Sequence, residues 1–539
     1  MKKVNYFFIF LFIFFISCYE DKGNYDYKDI QSIEIEKFPD INKTMGDTVR
    51  VEPKFNIEIP EDASYLSFEW SIGGETRPDD PNWNSRNFFW IADRLVENFE
   101  GLVLKITDSR YGVKYMKKGY CTIAGEFDAW FSWTILAEKN GEACLSFFKT
   151  EETEWSSDWS VATITKWKEY DDLYSSRNGG QKLGRGALCM REHYCTGEDA
   201  DVGQYWIFTE DGAKDLEGIG FTKDIDLNQT FMGGSVPAGA VIQGGVFMKI
   251  ADILYDQNGC LYSRVKSDPQ LFNSDYFLDD PIKYDGKVLE KCEPVFGRYT
   301  QYYGNYIPII DRKNNRLLAF LDGTPTYGFD DLIGAAHVME LPEPTLESGE
   351  KLPDNYIPLN NFEGYELLHI CYKKVTTSGF PGYYALFRDA TGHFYLEEFA
   401  LRSYIDVVQG PYLKLSNIKV FDFGGKLTQT PSLMCVPPNT ATDYVFFAVD
   451  NILYMYDKDT EIWSEYLRFD APITAMDGDN HFKNMLLAVG LENGEFHVVN
   501  IVNAKNRPLE ERIMCTAKSR FGKIIQINWK IGNGFSSWT

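Results

Sequence analysis

Seven times between residues 133 and 501 an apolar run breaks at a tight polar turn and resumes as a second apolar run. The runs are 133–137 and 143–148 about Asn140-Gly141, 205–208 ahead of Asp211-Gly212, and 246–255 and 260–265 about Asn258-Gly259. They continue as 306–310 and 317–321 about Asn314-Asn315, and as 383–387 and 394–399 about Thr391-Gly392. The last two are 444–449 and 452–456 about Asp450-Asn451, and 485–491 and 496–501 about Asn493-Gly494. Asn-Gly and Asp-Gly supply the positive φ that a two-residue hairpin turn needs. Hairpins recurring every 43 to 77 residues predict a β-propeller with one hairpin per blade and generous loops between blades. Seven is the count of visible hairpins, and an eighth blade stays open. Stacked β-sandwiches are the competing architecture. Residues 524–529 are placed to pair with an early strand near Trp130 and lock the ring.

Residues 28–124 have another texture. Val49, Val51, Phe55, Ile57 and Ile59 alternate with polar residues, as do Leu66, Phe68, Trp70 and Ile72, and again Leu102, Leu104 and Ile106. Period-2 alternation buries one face of each strand and wets the other. Turn-rich stretches at Gly73-Gly74, Asp79-Asp80-Pro81 and 108–112 separate the strands. The expectation is an Ig-like β-sandwich with Trp70 in its core. The whole chain therefore reads as all-β, a sandwich over 28–124 followed by a propeller over 127–539. The high aromatic fraction, 16%, agrees with pleated sheets, and no long amphipathic pattern predicts a helical domain.

The chain begins with Lys2-Lys3, an apolar run over 4–16, and Ser17-Cys18. About 13 apolar residues are too few to span a hydrocarbon core, which needs roughly 20, so residues 1–17 read as a removable signal. The segment resembles a bacterial lipoprotein signal, which implies that the Cys18 thiol is lipidated and becomes the new N-terminus. Phe15 stands where Leu is usual. Residues 18–27, acidic and tyrosine-rich, read as a tether. They resemble the start of Bacteroidetes lipoproteins, which implies an outer-membrane anchor facing the cell exterior.

Phe68-Glu69-Trp70-Ser71 followed by Ile106-Thr107-Asp108-Ser109 and Gly112 resembles the PKD-like domain of Bacteroidetes lipoproteins. In that family a strand ending in Val-Thr-Asp leads into the last hairpin, and here Ile106 replaces the valine. A PKD-like domain followed by a propeller-like remainder, with 306–312 contributing, is similar to the PKD-like lipoproteins encoded beside Sus-type nutrient-uptake systems. That resemblance implies a binding or accessory component of such a transporter and supplies no catalytic residues.

Charge excludes one class of partner. A formal charge of −25 lacks the basic footprint of a nucleic-acid binder. Contact with anionic head groups is likewise expected only through the acyl anchor. Ten cysteines are too sparse for a disulfide scaffold, and with Cys18 acylated at least one of the others lacks an intramolecular partner. Cys144, Cys260, Cys371 and Cys435 sit in apolar runs and read as small hydrophobes.

Cys189, His193 and Cys195 could seed a zinc site but lack an evident fourth ligand. Asp477-Gly478-Asp479-Asn480 could hold calcium but lacks the spacing of an EF-hand loop. Both are expected to be plain packing or surface turns, so neither a metal nor a cofactor is expected. No Gly-x-Ser-x-Gly elbow, His-Glu-x-x-His pair or complete Ser-x-Asp-x-Gly-x-x-Trp box occurs. A glycosidase carboxylate pair would meet only in space, so a propeller hydrolase remains the alternative, with a structural or adhesive protein as a third reading. The candidate ligand contacts are aromatic: Trp155 and Trp159 after the first hairpin, Tyr302 and Tyr303 before the fourth. Flat apolar faces with polar rims suit a glycan or peptide, although core packing explains most aromatic residues in β-rich proteins.

Overall fold

The computed structural model describes residues 32–530 apart from 61, 97–99, 128–130, 156–161, 194–202, 269, 297–305, 326–331, 334, 347–350, 375–380, 407–409, 438–443, 479–485 and 519. The chain divides into two compact units, residues 1–124 and 125–539.

In the N-terminal unit, Leu66–Ile72 and Leu102–Asp108 pair antiparallel and are flanked by Glu75–Thr76 and Val113–Gly119. Thr48–Val51 pairs with Phe88–Ile91, and Ile41–Thr44 runs parallel to Cys121–Ala124. Alternation decides the packing. Leu102, Leu104 and Ile106 are buried, whereas the residues between them are partly wet. Trp70 is fully buried, packs with its ring 5.1 Å from that of Phe88, and its indole N–H donates to Ser85 O at 2.8 Å. Asp108, the end of the Ile-Thr-Asp strand, accepts the backbone N–H of Arg110 and both arms of its guanidinium. That hydrogen bonding holds the Asp108 carboxyl below its ordinary range and shapes the turn into the last hairpin.

The C-terminal unit is a seven-bladed propeller. Blade 2 runs outward as strand A Ala187–His193, B Gln204–Thr209, C Gly212–Leu216 and D Lys223–Asp226. Blade 3 is A Ile242–Phe247, B Ala251–Asp256 and C Leu261–Val265, with no regular fourth strand among the described residues. Blade 4 is Cys292–Pro294, Tyr306–Asp311, Arg316–Leu321 and Val338–Glu340; blade 5 is Tyr365–Lys374, Pro381–Asp389, Phe394–Asp406 and Gly410–Asp422. Blade 6 is Leu433–Cys435, Tyr444–Val449, Ile452–Asp457 and Ile462–Arg468; blade 7 is Ile473–Gly478, Leu486–Leu491, Phe496–Asn500 and Ile513–Ala517. Blade 1 joins both ends of the unit. Strands B Ser132–Lys139, C Glu142–Trp155 and D Ala162–Tyr170 take their strand A from Lys523–Trp529, which sets Trp529 opposite Trp133. The seven hairpins read from the sequence are the seven B–C hairpins, and the closing segment pairs with the strand that begins at Ser132.

The apolar cores lie between blades rather than within them. Separate clusters join blades 1 and 2, 2 and 3, 3 and 4, 5 and 6, and 6 and 7, and one larger cluster serves blades 4 and 5 and the seam of blades 7 and 1. Strands B are therefore buried on both faces. Tyr306–Asp311, Tyr444–Val449 and Leu486–Leu491 show no exposed residue, so they read as continuous apolar runs instead of alternating ones. Around the axis, side chains of neighbouring A strands stitch blade to blade. Gln526 accepts the Met190 N–H at 2.8 Å and donates to Met190 O at 2.9 Å. Arg191 reaches Gly245 O, Cys371 donates to Met434 O, and Asp477 accepts the Trp529 N–H.

Antiparallel order sends A–B and C–D connections to one end of the ring and B–C turns to the other. At the first end, two C–D hairpins outrun strand B of their blades. In blade 1, residues 150–155 continue past the last B–C pair, Lys149 with Ser132; in blade 5, residues 401–406 continue past Ala400 with Gly382. Six residues extend each arm by about 20 Å.

Candidate functional site

Of the four aromatic candidates from the sequence, Trp155 is the one the structure describes. Trp155 closes strand C of blade 1 opposite Ala162. Trp159 belongs to the C–D connection of the same blade, and Tyr302 and Tyr303 to the A–B connection of blade 4; these three lie outside the described residues. Cys18 and Cys195 also lie outside the described residues, as do Asp479 and Asn480. Among the described residues no three His, Cys, Asp or Glu side chains are grouped to hold a metal. Cys189 donates to Gln243 O at 3.3 Å, a blade-to-blade contact, and no disulfide joins the described cysteines.

His193 has a different setting. It ends strand A of blade 2, fully buried, with Phe247 4.8 Å away, and faces a charged cluster gathered from blades 2, 3 and 4 beneath the arm-bearing end. Asp252 is the centre. Its Oδ2 accepts Arg264 Nε at 2.7 Å, its Oδ1 accepts the Met248 N–H at 3.0 Å, and Lys266 Nζ lies 3.3 Å from Oδ1. His193 Nε2 is 3.9 Å from Asp252 Oδ2. Arg264 also donates to Phe272 O and to Asn273 Oδ1, and Asn273 donates to Asp215 at 2.6 Å. Lys266 Nζ donates to Met248 O at 2.6 Å. From blade 4, Asp322 Oδ1 accepts the N–H groups of Ile250 and Ala251 at 2.9 and 2.8 Å.

The cluster explains a turn that the sequence does not announce. The run 246–255, read as one strand, is strands A and B of blade 3, broken at 248–250. That A–B turn contains no Gly, Asn or Pro. Two buried carboxylates, Asp252 and Asp322, satisfy its N–H groups instead, which meets the rule that buried backbone donors find partners.

Burial sets the protonation states. Desolvation pushes the Asp215 carboxyl up to about 8 and Asp322 to about 7, and in blade 5 it pushes Glu397 to about 9. The same cause lowers His193 well below its usual value and lowers Lys266. A carboxyl that keeps its proton in the fold to about 8, but loses it near 3.8 when unfolded, favours unfolding as pH rises through that interval. His193 acts oppositely and costs stability as pH falls below 6.5. Burial lowers His369 and His497 as well, so imidazoles and carboxyls oppose one another in the pH dependence of the propeller, and single substitutions separate them. Asp215→Asn should raise its melting temperature at pH 8 more than at pH 5.5; an equal shift at both would exclude Asp215 as a source of the slope.

The geometry is that of a lock, not of an open reactive centre. Asp252, Arg264, Lys266 and Asp322 are at most 3% exposed and are committed to each other and to backbone. Sequence reasoning singled out only His193 of this group, and for a metal.

The PKD-like family's sequence model matches residues 18–185. The match covers the N-terminal unit and runs through strands B to D of blade 1, stopping before strand A of blade 2. No curated protein matches the chain significantly. Solved structures that resemble it are propellers and related proteins of low identity. One is a Bacteroides fragilis protein assigned as a 6-phosphogluconolactonase, 10% identical with a TM-score of 0.42 over 75% of this chain and 99% of that one. The C-terminal WD40 domain of Sif2 is 11% identical with a TM-score of 0.33 over 74% and 93%. The extracellular domain of a one-component system of B. thetaiotaomicron is 12% identical with a TM-score of 0.30 over 59% and 32%. These likenesses carry nothing about activity. The chain is all-β, with an N-terminal PKD-like unit and a seven-bladed propeller.

Proposed function

We propose that this protein is a lipid-anchored surface protein of the outer membrane, its PKD-like unit a stalk and its propeller a binding head. The head takes a glycan or peptide and serves a Sus-type nutrient-uptake transporter as a binding or accessory component. The observation that carries the reading is the inequality of the two ends of the ring. Both arms rise from the A–B and C–D end, opposite the tight B–C turns, and segments projecting from a rigid scaffold are where recognition sits. A propeller hydrolase would need a converging, reachable carboxylate pair. Asp252 and Asp322, the carboxylates gathered beneath the arm-bearing end, are buried and bound to backbone. Binding therefore accounts for the geometry better than hydrolysis or adhesion.

Two experiments test this. Cys18→Ala should abolish incorporation of a fatty-acid probe and release the protein from membranes; undiminished label would refute the anchor. Trp155→Ala with Trp159→Ala should weaken binding to whichever polysaccharide or peptide of a panel the intact protein retains, with the melting temperature nearly unchanged. A loss of several kcal/mol instead, as large-to-small core changes give at roughly 3–5 each, would make the pair core residues.

A further inference from the structure

The arm of blade 5 has two unlike faces. Leu401, Leu413 and Leu415 are buried in the core shared with blade 4. Arg402, Tyr404, Tyr412 and Lys414 alternate with them and so occupy the opposite face. Tyr404 and Tyr412 are cross-strand partners with ring centroids 5.1 Å apart and planes within 12° of parallel. The Arg402 guanidinium lies 5.1 Å from the Tyr404 ring and donates to its hydroxyl at 2.7 Å, and the Lys414 ammonium lies 5.0 Å from the same ring. Tyr404 is hemmed in by its neighbours, while Tyr412 is 38% exposed. The arm is held firmly: Thr345 N–H donates to Leu415 O at 2.7 Å, and the buried Tyr306 hydroxyl donates to Leu401 O.

Arg402 and Lys414 are themselves cross-strand partners. Like charges directly opposite one another repel, and the Tyr404 ring beside both is what draws them together here. Among the described residues no ion pair includes Lys414. The chain carries 79 acidic against 54 basic residues, which makes two adjacent cations beside two stacked rings a local exception. The arm of blade 1 has the opposite character, with Glu151 and Glu152 on Lys166 and Glu154 farther along the same strand.

We propose that this face of the blade 5 arm binds an acidic saccharide, a uronate or sulfated sugar. The pyranose ring lies on Tyr412 and the anionic group on Arg402 and Lys414. An aromatic face accepts the C–H side of a sugar ring, and a guanidinium beside an ammonium matches a carboxylate or sulfate. The proposal rests on the reading of the propeller as a ligand-binding head and names the class of ligand.

The test uses the full chain in affinity electrophoresis through gels containing polygalacturonate, chondroitin sulfate, dextran or polyglutamate. Retardation is expected with an acidic polysaccharide and not with dextran or polyglutamate, and it should weaken as salt shortens the screening length to about 10 Å at 0.1 M. Arg402→Gln with Lys414→Gln, and separately Tyr412→Ala, should each weaken that binding about tenfold or more, because the first removes the charge-assisted contacts and the second the stacking face. Melting curves matching the parent show that the variants fold. No retardation by either acidic polysaccharide, or retardation that the variants leave unchanged, would overturn the proposal. Equal retardation by polyglutamate would also overturn it, showing charge alone at work. Retention by dextran that the variants leave intact would overturn this site while sparing the ligand-binding head.

Discussion

A chain ended after Gly522 will not give a cooperatively folding propeller. Strand A of blade 1 comes entirely from Lys523–Trp529, and without it the inner edge of Ser132–Lys139 loses its backbone partners. Ile524, Ile527 and Trp529 are at most 8% exposed and belong to the cluster that also holds Trp133, Phe148 and Phe496. Large-to-small core changes cost about 2–5 kcal/mol for Ile and 3–5 for Trp. Their joint loss is comparable to the roughly 5–15 kcal/mol that holds a whole domain together. The backbone at the seam is also fitted closely: a Cβ on Gly490 would sit 2.6 Å from Ile524 Cγ2. The single change Ile524→Ala isolates the packing and should cost about 2–5 kcal/mol. Denaturant unfolding followed by tryptophan fluorescence reads both. A truncated chain that keeps a sharp, parent-like propeller transition would show that the ring does not depend on its seam.

Asp252→Ala is expected to destabilise the propeller by about 3–5 kcal/mol, because removing one member of a buried ion cluster strands the others without their countercharge. Arg264 loses its 2.7 Å partner, Lys266 loses a carboxylate oxygen at 3.3 Å, and the Met248 N–H loses its acceptor. Asp322→Asn should cost on the order of 1 kcal/mol or less, since an amide oxygen can still accept from Ile250 and Ala251. Thermal or urea unfolding at pH 7 ranks the two. If Asp252→Ala proves as mild as Asp322→Asn, water reaches the cluster and the buried-charge account fails.

The B–C hairpins were legible because Asn-Gly, Asp-Gly and their relatives leave a local signature between apolar runs. The N-terminal sandwich was legible for the same reason of locality: Leu102, Leu104 and Ile106 alternate within five residues. What escaped is non-local. His193, Asp252, Arg264 and Asp322 come from three blades, and nothing near any one of them announces the others. The A–B turn of blade 3 carried no turn residue because Asp252 and, from blade 4, Asp322 do the work of one. The arms escaped too, since 150–155 is polar up to Trp155 and 401–406 mixes polar and apolar residues without the alternation that marks a strand. The aromatic platform needed register: Tyr404 and Tyr412 are eight apart, and only the pairing of strands C and D sets them ring against ring.

The distribution of burial across each blade bears on how such a protein can change over generations. Strands B are sealed on both faces, whereas strands D are thinly packed: Lys223–Asp226 has no buried residue, and Ile462–Arg468 has two of seven. Blade 3 has no regular outer strand among the described residues, and blade 5 has one of 13 residues. Substitutions and length changes at the exposed rim positions therefore leave most of the inter-blade cores untouched, with Leu413, Leu415, Tyr466 and Leu467 the outer-strand residues that anchor blades 5 and 6 in them. Inner strands are held to a narrow set of sequences. The periphery can drift, lengthen or shrink at little cost to folding, which lets descendants of one scaffold acquire different specificities without reinventing the ring.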